Sequence, residues 1–195
     1  MVKIKICGMT NLEDCQTAID LGVDFVGFVF YKKSARYVAP EMVRGISERI
    51  SGKVKTVGVF VEEPEDEINR LVDFCCLDFV QVYNRPNGPH GANRICVYRI
   101  KDVVPEVTAN GLILFDSYSE GFGGSGTPFD VNLLKSHSAL GRAFIAGGID
   151  EGNVYRALDL KPFGIDLVSS VEKEKGKKDP FKMECFVNKV RSYQI

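Results

Sequence analysis

Residues 1–21 read MVKIKICGMTNLEDCQTAIDL, and the change of rhythm inside them decides the fold. Val2, Ile4 and Ile6 alternate with Lys3 and Lys5, the two-residue period of a β-strand. Cys7 ends that run, and Gly8 gives the backbone the freedom for a sharp turn. Thr10 or Asn11 then offers a cap for a helix carrying Leu12, Cys15, Ala18 and Ile19 on one face. Strand, turn and amphipathic helix make one βα unit, and the chain repeats it.

Further strand-like runs, rich in Val, Ile and Phe, fall at 25–30, 56–61, 78–83, 95–100, 112–116, 143–146 and 165–168. Helical patterns fall at 12–21, 40–50, 64–75, 130–136, 151–160 and 179–192. Pro40 and Pro64 suit first turns, and Glu65, Asp66 and Glu67 suit the positive end of a helix. Such alternation builds right-handed βαβ units and a parallel sheet. Eight strands in this order close into a (β/α)8 TIM barrel, one domain over residues 1–195, with an open doubly wound sheet as the alternative. Two connections break the rhythm. NRPNGPHGANR (84–94) has no apolar period, and KDVVPEVTANG (101–111) is interrupted by Pro105. The expected barrel therefore has its fourth helix missing and its fifth shortened. The wall left bare there needs a loop, a partner subunit or charged side chains over it.

The 25 basic and 26 acidic residues leave a net charge of -1, so neither nucleic acid nor a membrane is an expected partner. No apolar run is long enough to span a bilayer and the N-terminus reads as a strand, which points to a cytoplasmic protein. Six scattered cysteines without a C-x-x-C pair, and only two histidines, argue against a zinc site and a Ser-His-Asp triad. Five of the cysteines read as buried thiols of a reducing compartment.

Reactive groups of such barrels stand at the C-terminal ends of strands. Cys7 ends the first strand, Gln81 lies near the end of the fourth, and Asp116 ends the sixth. A carboxylate leaving the apolar run LILF is partly desolvated, which suits a general acid, although Asp also ends strands routinely. Cys7 suits a base if positive charge favours its thiolate, and Arg36 in YKKSARYV supplies charge or binds a carboxylate, unless it is solvated surface. Gly147 and Gly148 follow the seventh strand, and Ser169 and Ser170 the eighth. These loops read as a phosphate pocket or as ordinary βα turns. GFGGSG (121–126) is poorly placed for a dinucleotide and reads as a mobile loop over the site or on the surface.

KICGMT, GFVFYKKSARYV, VGVFV, LILFDS with GGSGTPFD, AGGIDEGNV and GIDLVSSVE, taken together and in order, resemble the phosphoribosylanthranilate isomerases. The resemblance implies an Amadori rearrangement of a phosphosugar in tryptophan biosynthesis, without metal or organic cofactor, by a monomer or homodimer. It implies Cys7 as general base, Asp116 as general acid and Arg36 on the anthranilate carboxylate. Gln81 is implied in the substrate pocket, with Gly147, Gly148, Ser169 and Ser170 on the phosphate. The family reads Gln-Leu-His-Gly where this chain has QVYN, and Ser-Ser-Gly-Val-Glu where it has VSSVE, so Tyr83, Val168 and Ser170 are departures. The alternatives are a phosphosugar-binding barrel without turnover and the related isomerase of histidine synthesis. The latter resembles this mechanism with two aspartates, and Cys7 speaks against it.

Overall fold

The computed structural model describes residues 1–83, 93–119 and 128–193. Within them eight strands pair in parallel and in chain order: β1 (Lys3–Cys7), β2 (Phe25–Val29), β3 (Lys55–Phe60), β4 (Phe79–Tyr83), β5 (Asn93–Ile100), β6 (Leu112–Ser117), β7 (Ala143–Ile145) and β8 (Gly164–Leu167). β8 returns to β1, with Lys5 opposite Asp166 and Ile6 opposite Leu167, so the sheet closes and the open alternative falls. A short antiparallel hairpin, β9 (Glu172–Glu174) with β10 (Lys177–Lys178), follows the barrel.

The helices are α1 (Leu12–Asp20), α2 (Pro40–Ile50), α3 (Glu65–Cys75), α4 (Val154–Leu158) and α5 (Pro180–Ser192). Local chemistry sets their ends. The Asn11 side chain accepts the Asp14 N–H at 2.8 Å and caps α1, while Thr10 is drawn away to donate to the Gly176 carbonyl at 2.5 Å. Asp179 caps α5 by accepting from the N–H groups of Phe181 and Lys182. Among the described residues no helix is long and apolar enough to cross a membrane.

The second half of the helical layer is thinner than its sequence pattern. Residues 130–136 make only a 3₁₀ turn, Val131–Leu134, and the pattern over 151–160 yields the five-residue α4. Residues 84–92, where the fourth helix is expected to be missing, lie outside the described residues, as does GFGGSG. The shortened fifth helix does not form: residues 101–111 run as bends and irregular chain. Pro105 cannot donate to a helical ladder, and Tyr98 offers this segment another partner. Its phenolic oxygen accepts the N–H groups of Thr108 at 3.1 Å and Ala109 at 3.0 Å. Val104 and Val107 pack on the core and Ala109 is buried, so a loop covers the wall of β5.

Strand alternation divides the core in two. Ile4, Ile6, Val26, Phe28 and their equivalents join the side chains of the helices. Phe25, Val57, Ile95, Val97, Leu114 and Phe144 fill the lumen. Phe25 meets Phe79 and Phe144 edge-on, each with ring centroids 5.3 Å apart, and Phe144 meets Phe163 at 5.1 Å. This aromatic floor seals the lower lumen. Above it, Lys5 and Asp166 sit in a poorly solvated cup below the C-terminal mouth.

Candidate active site

Cys7 is the last residue of β1 and is 5% exposed. Its register partner on β2 is Gly27, where an added Cβ would lie 2.7 Å from the Cys7 sulfur. The missing side chain of Gly27 is the space the thiol occupies. Burial pushes the thiol above its ordinary pKa, and the Asp166 carboxylate pushes the same way. The ammonium groups of Lys5 and Lys178 pull it down.

Asp116 occupies the next-to-last position of β6, opposite Arg99 of β5. Burial pushes its carboxyl up to about 6, and the neighbouring Asp166 carboxylate adds to the shift. The Ser117 N–H, Arg99 and Lys5 oppose it. The carboxylic acid form is therefore available close to neutral pH, as proton donation requires.

Arg36, in the loop after β2, is no solvated surface residue. Its Nε donates to Glu172 Oε1 and its Nη2 to Glu172 Oε2, both at 2.8 Å. Gly8 makes room for its stem: the backbone there has φ +76°, and a Cβ would lie 2.7 Å from Arg36 Cδ. Glu172 is itself held by the hairpin, through the Gly176 N–H at 3.2 Å and Lys178 Nζ at 3.1 Å. Lys178 is wholly buried and donates also to the Val168 carbonyl at 3.0 Å.

Gln81 lies in the middle of β4 rather than near its end. It is 2% exposed, and its Oε1 has no protein hydrogen-bond partner. Tyr83 ends β4. Burial and the carboxylate of Asp116 hold its phenol well above the ordinary value, so it stays neutral where a histidine would titrate.

Gly147 and Gly148 follow β7 with φ of +80° and +68°. At Gly147 a Cβ would lie 2.5 Å from the Ser117 nitrogen, which excludes any side chain. Ser169–Val171 form a 3₁₀ turn after β8. Ser170, where the resembled family has glycine, fits because its backbone is outside the left-handed region. Its buried Oγ has no protein partner.

The eight residues singled out from sequence, Cys7, Arg36, Gln81, Asp116, Gly147, Gly148, Ser169 and Ser170, line one cavity at the barrel mouth. Tyr83, Val168 and Asp166 line it with them. Sequence reasoning did not find Lys5, Asp166, Glu172 or Lys178. In the sequence Lys5 is only the polar partner in an alternating strand; in the fold it points into the lumen, 0% exposed, and donates to Asp166 at 2.9 and 3.0 Å. The available signal was a carboxylate inside the apolar run GIDLV, legible only once β8 pairs with β1. Among the described residues no three His, Cys, Asp or Glu side chains gather to hold a metal ion. The cavity thus sets a thiol and a protonatable carboxyl around one mouth, with an arginine and turn N–H groups suited to anions.

Comparison with known proteins agrees with this arrangement. The family model described as N-(5'phosphoribosyl)anthranilate (PRA) isomerase matches residues 4–189. The N-(5'-phosphoribosyl)anthranilate isomerase of Rubrobacter xylanophilus is 36% identical over 207 residues, covering 98% of this chain and 100% of that protein. The crystal structure of phosphoribosyl anthranilate isomerase from Thermus thermophilus superposes with a TM-score of 0.86 at 30% identity, over 99% of this chain and 100% of that one. A phosphoribosyl anthranilate isomerase in complex with reduced 1-(o-carboxyphenylamino)-1-deoxyribulose 5-phosphate superposes at 0.79 and 30% identity, with the same coverage. A matching sequence pattern, a closed eight-stranded barrel and full-length relatives converge: the chain belongs to the N-(5'-phosphoribosyl)anthranilate isomerase family.

Proposed function

We propose that this protein converts N-(5'-phosphoribosyl)anthranilate to 1-(2-carboxyphenylamino)-1-deoxyribulose 5-phosphate, a step of tryptophan biosynthesis, with Asp116 as general acid and Cys7 as general base. The observation that carries the roles is the pairing of a carboxyl whose pKa is pushed up to about 6 with a thiol, both lining one cavity.

Asp116 gives its proton to the ribose ring oxygen as the C1′–O bond breaks, and the anilino lone pair forms a C=N bond. The ring opens to an iminium. The Cys7 thiolate then takes the C2′ proton, and the released electron pair forms C1′=C2′ while the nitrogen regains its lone pair. The resulting enolamine loses its hydroxyl proton and gains one at C1′, giving the aminoketone. Electrons and protons balance within the substrate, so the rearrangement consumes no oxidant or reductant.

Binding groups flank the reacting carbons. Gly147, Gly148, Ser169 and Ser170 present turn backbone suited to the phosphate, and the Ser170 hydroxyl adds a donor that a glycine lacks. Arg36 commits Nε and Nη2 to Glu172, so the anthranilate carboxylate takes the Nη1 edge. Holding both ends of the substrate fixes C2′ near the thiol, which contributes to rate through positioning.

The test is turnover of phosphoribosylanthranilate, followed by its loss of fluorescence, for wild type, Cys7→Ser and Asp116→Val. Each substitution is expected to lower kcat by about 10² to 10⁴ while the fold persists. An inactive wild type that still binds a product analogue makes this a binding barrel. Variants that keep wild-type turnover remove the two assigned roles.

A further inference from the structure

We propose that Lys5 and Asp166 form a charge clamp beneath Cys7, in which Lys5 favours the thiolate form of the sulfur and Asp166 sets how strongly it does so. The inference rests on the reading of Cys7 as the base.

Lys5 and Cys7 are two residues apart on β1 and share its lumen face. Lys5 has no solvent exposure, and its ammonium is held by both oxygens of Asp166, its register partner on β8. An apolar pair of similar volume would serve stability equally well or better, because the lumen charges must be taken out of water. The buried pair therefore calls for a use other than stability, and the group it adjoins is the thiol. Screening is weak above the aromatic floor, so each charge acts directly on its neighbours.

The groups acting on the sulfur have definite signs. Lys5 from β1 and Lys178 from β10 favour the thiolate, and Arg36 from the loop after β2 is coupled to Cys7 in the same sense. Asp166 from β8 opposes it. Tyr83 from β4 is coupled to both Cys7 and Asp116, and it faces the mouth as a neutral phenol. Asp116 from β6 lines the same cavity. When the thiolate forms, the proton leaves the sulfur for bulk water, Lys5 stays an ammonium, and no other bond changes. With Lys5 gone, the Asp166 carboxylate acts on the sulfur without its counter-charge, and the thiol is favoured although Lys178 and Arg36 remain. With the Asp166 charge gone, the whole Lys5 charge turns to the sulfur, and the thiolate is favoured. Two substitutions of one ion pair should thus move one thiol in opposite directions, which a purely structural role would not do.

The experiment measures the rate at which iodoacetamide alkylates Cys7 as a function of pH. It is read on the Cys7 peptide by mass spectrometry, because Cys76 is exposed and reacts separately. The proteins are wild type, Lys5→Met, Asp166→Asn and the double variant, each checked for cooperative thermal unfolding. Lys5→Met is expected to raise the midpoint by about one pH unit or more and to slow alkylation near neutral pH about tenfold. Asp166→Asn is expected to lower the midpoint by a similar amount, and the double variant to return toward or above wild type. Midpoints that move together, or by less than about 0.3 unit, overturn the clamp. If Lys5→Met does not fold, the sign of the Asp166→Asn shift and its reversal in the double variant decide the matter. The assay needs no turnover, so an inactive wild type fails the isomerase reading alone. An active enzyme with unmoved midpoints fails the clamp alone.

Discussion

Arg36 and Glu172 are 136 residues apart in the chain and meet in a forked ion pair, with both N–O distances 2.8 Å. The pair fixes the guanidinium plane against the hairpin before any ligand arrives. Lys178 and the Gly176 N–H also donate to Glu172 Oε1, the oxygen that takes Arg36 Nε, so the carboxylate of the fork is itself anchored. On the proposed reading, an arginine oriented in this way offers the substrate carboxylate one edge and loses little side-chain freedom on binding.

Glu172→Gln keeps the volume and removes the charge that orients Arg36. The expected outcome is a KM for phosphoribosylanthranilate raised about tenfold, with kcat held within about threefold, because the loss falls on binding. Steady-state kinetics separates the two. An equal fall in kcat places Glu172 in the chemical step.

The proposed roles of Asp116 and Cys7 set an expected pH profile of kcat/KM. In the proposed mechanism the active form carries Asp116 protonated and Cys7 ionised. Asp116 loses its proton at about 6, and Cys7 ionises above its ordinary value. Between those two points, each further fraction of thiolate is offset by an equal loss of acid, so the profile is flat. Below about 6 Asp116 is already protonated and the thiolate keeps shrinking, so the rate falls about tenfold per pH unit. In Asp116→Val the lower bend should vanish and residual activity should rise with pH throughout. A bend near 6 that survives this substitution reassigns it to another group.

Asp116 also carries a stability cost. Its folded pKa of about 6 stands above the ordinary value of 3.8, so ionising it in the cup disfavours the folded state. The penalty is absent below the unfolded value, grows as pH rises, and is complete above the folded value. Asp116→Asn mimics the protonated acid. It should stabilise the protein by about 1–3 kcal/mol at neutral pH and by almost nothing at acid pH, at the expense of turnover. Denaturant melts at both pH values measure the difference, and equal effects at the two would contradict the shift.

Gly27→Ala places a methyl group 2.7 Å from the Cys7 sulfur. The backbone at Gly27 has no need of positive φ, so the effect is crowding rather than strain. The expected result is a loss of about 1–3 kcal/mol in stability together with a fall in kcat from a displaced base. Cys7→Ser with Gly27→Ala should show less of the stability loss, since oxygen is smaller than sulfur. Thermal unfolding of the single and double variants checks it.

Much of this was legible in the chain. The order of strands followed from runs of Val, Ile and Phe between turn residues, because a strand's period is a local property of its side chains. The start of α1 followed from side chains that can cap, Thr10 or Asn11, and Asn11 is the one that does. Legibility failed where an alternative partner existed: residues 101–111 turn to the Tyr98 phenolic oxygen and form no helical turn. Pattern over 130–136 also overstated the helix, since a single 3₁₀ turn satisfies so short a segment.

At the site the division is sharper. The sequence by itself determined which residues end the strands, and in a parallel barrel all such ends meet at one mouth. Cys7, Asp116, Gly147, Gly148, Ser169 and Ser170 could therefore be placed together from their position in each βα unit. Closure of the sheet decided what lies beneath and beside them. Only when β8 pairs with β1 does the lysine of KIKIC turn inward to meet Asp166, 161 residues away. Only then does the β9–β10 hairpin bring Glu172 to Arg36. Strand alternation is the same whether the polar face meets water or a lumen, and ion pairs across such distances leave no local trace. The tertiary structure chose the face, and with it the charges that surround the thiol.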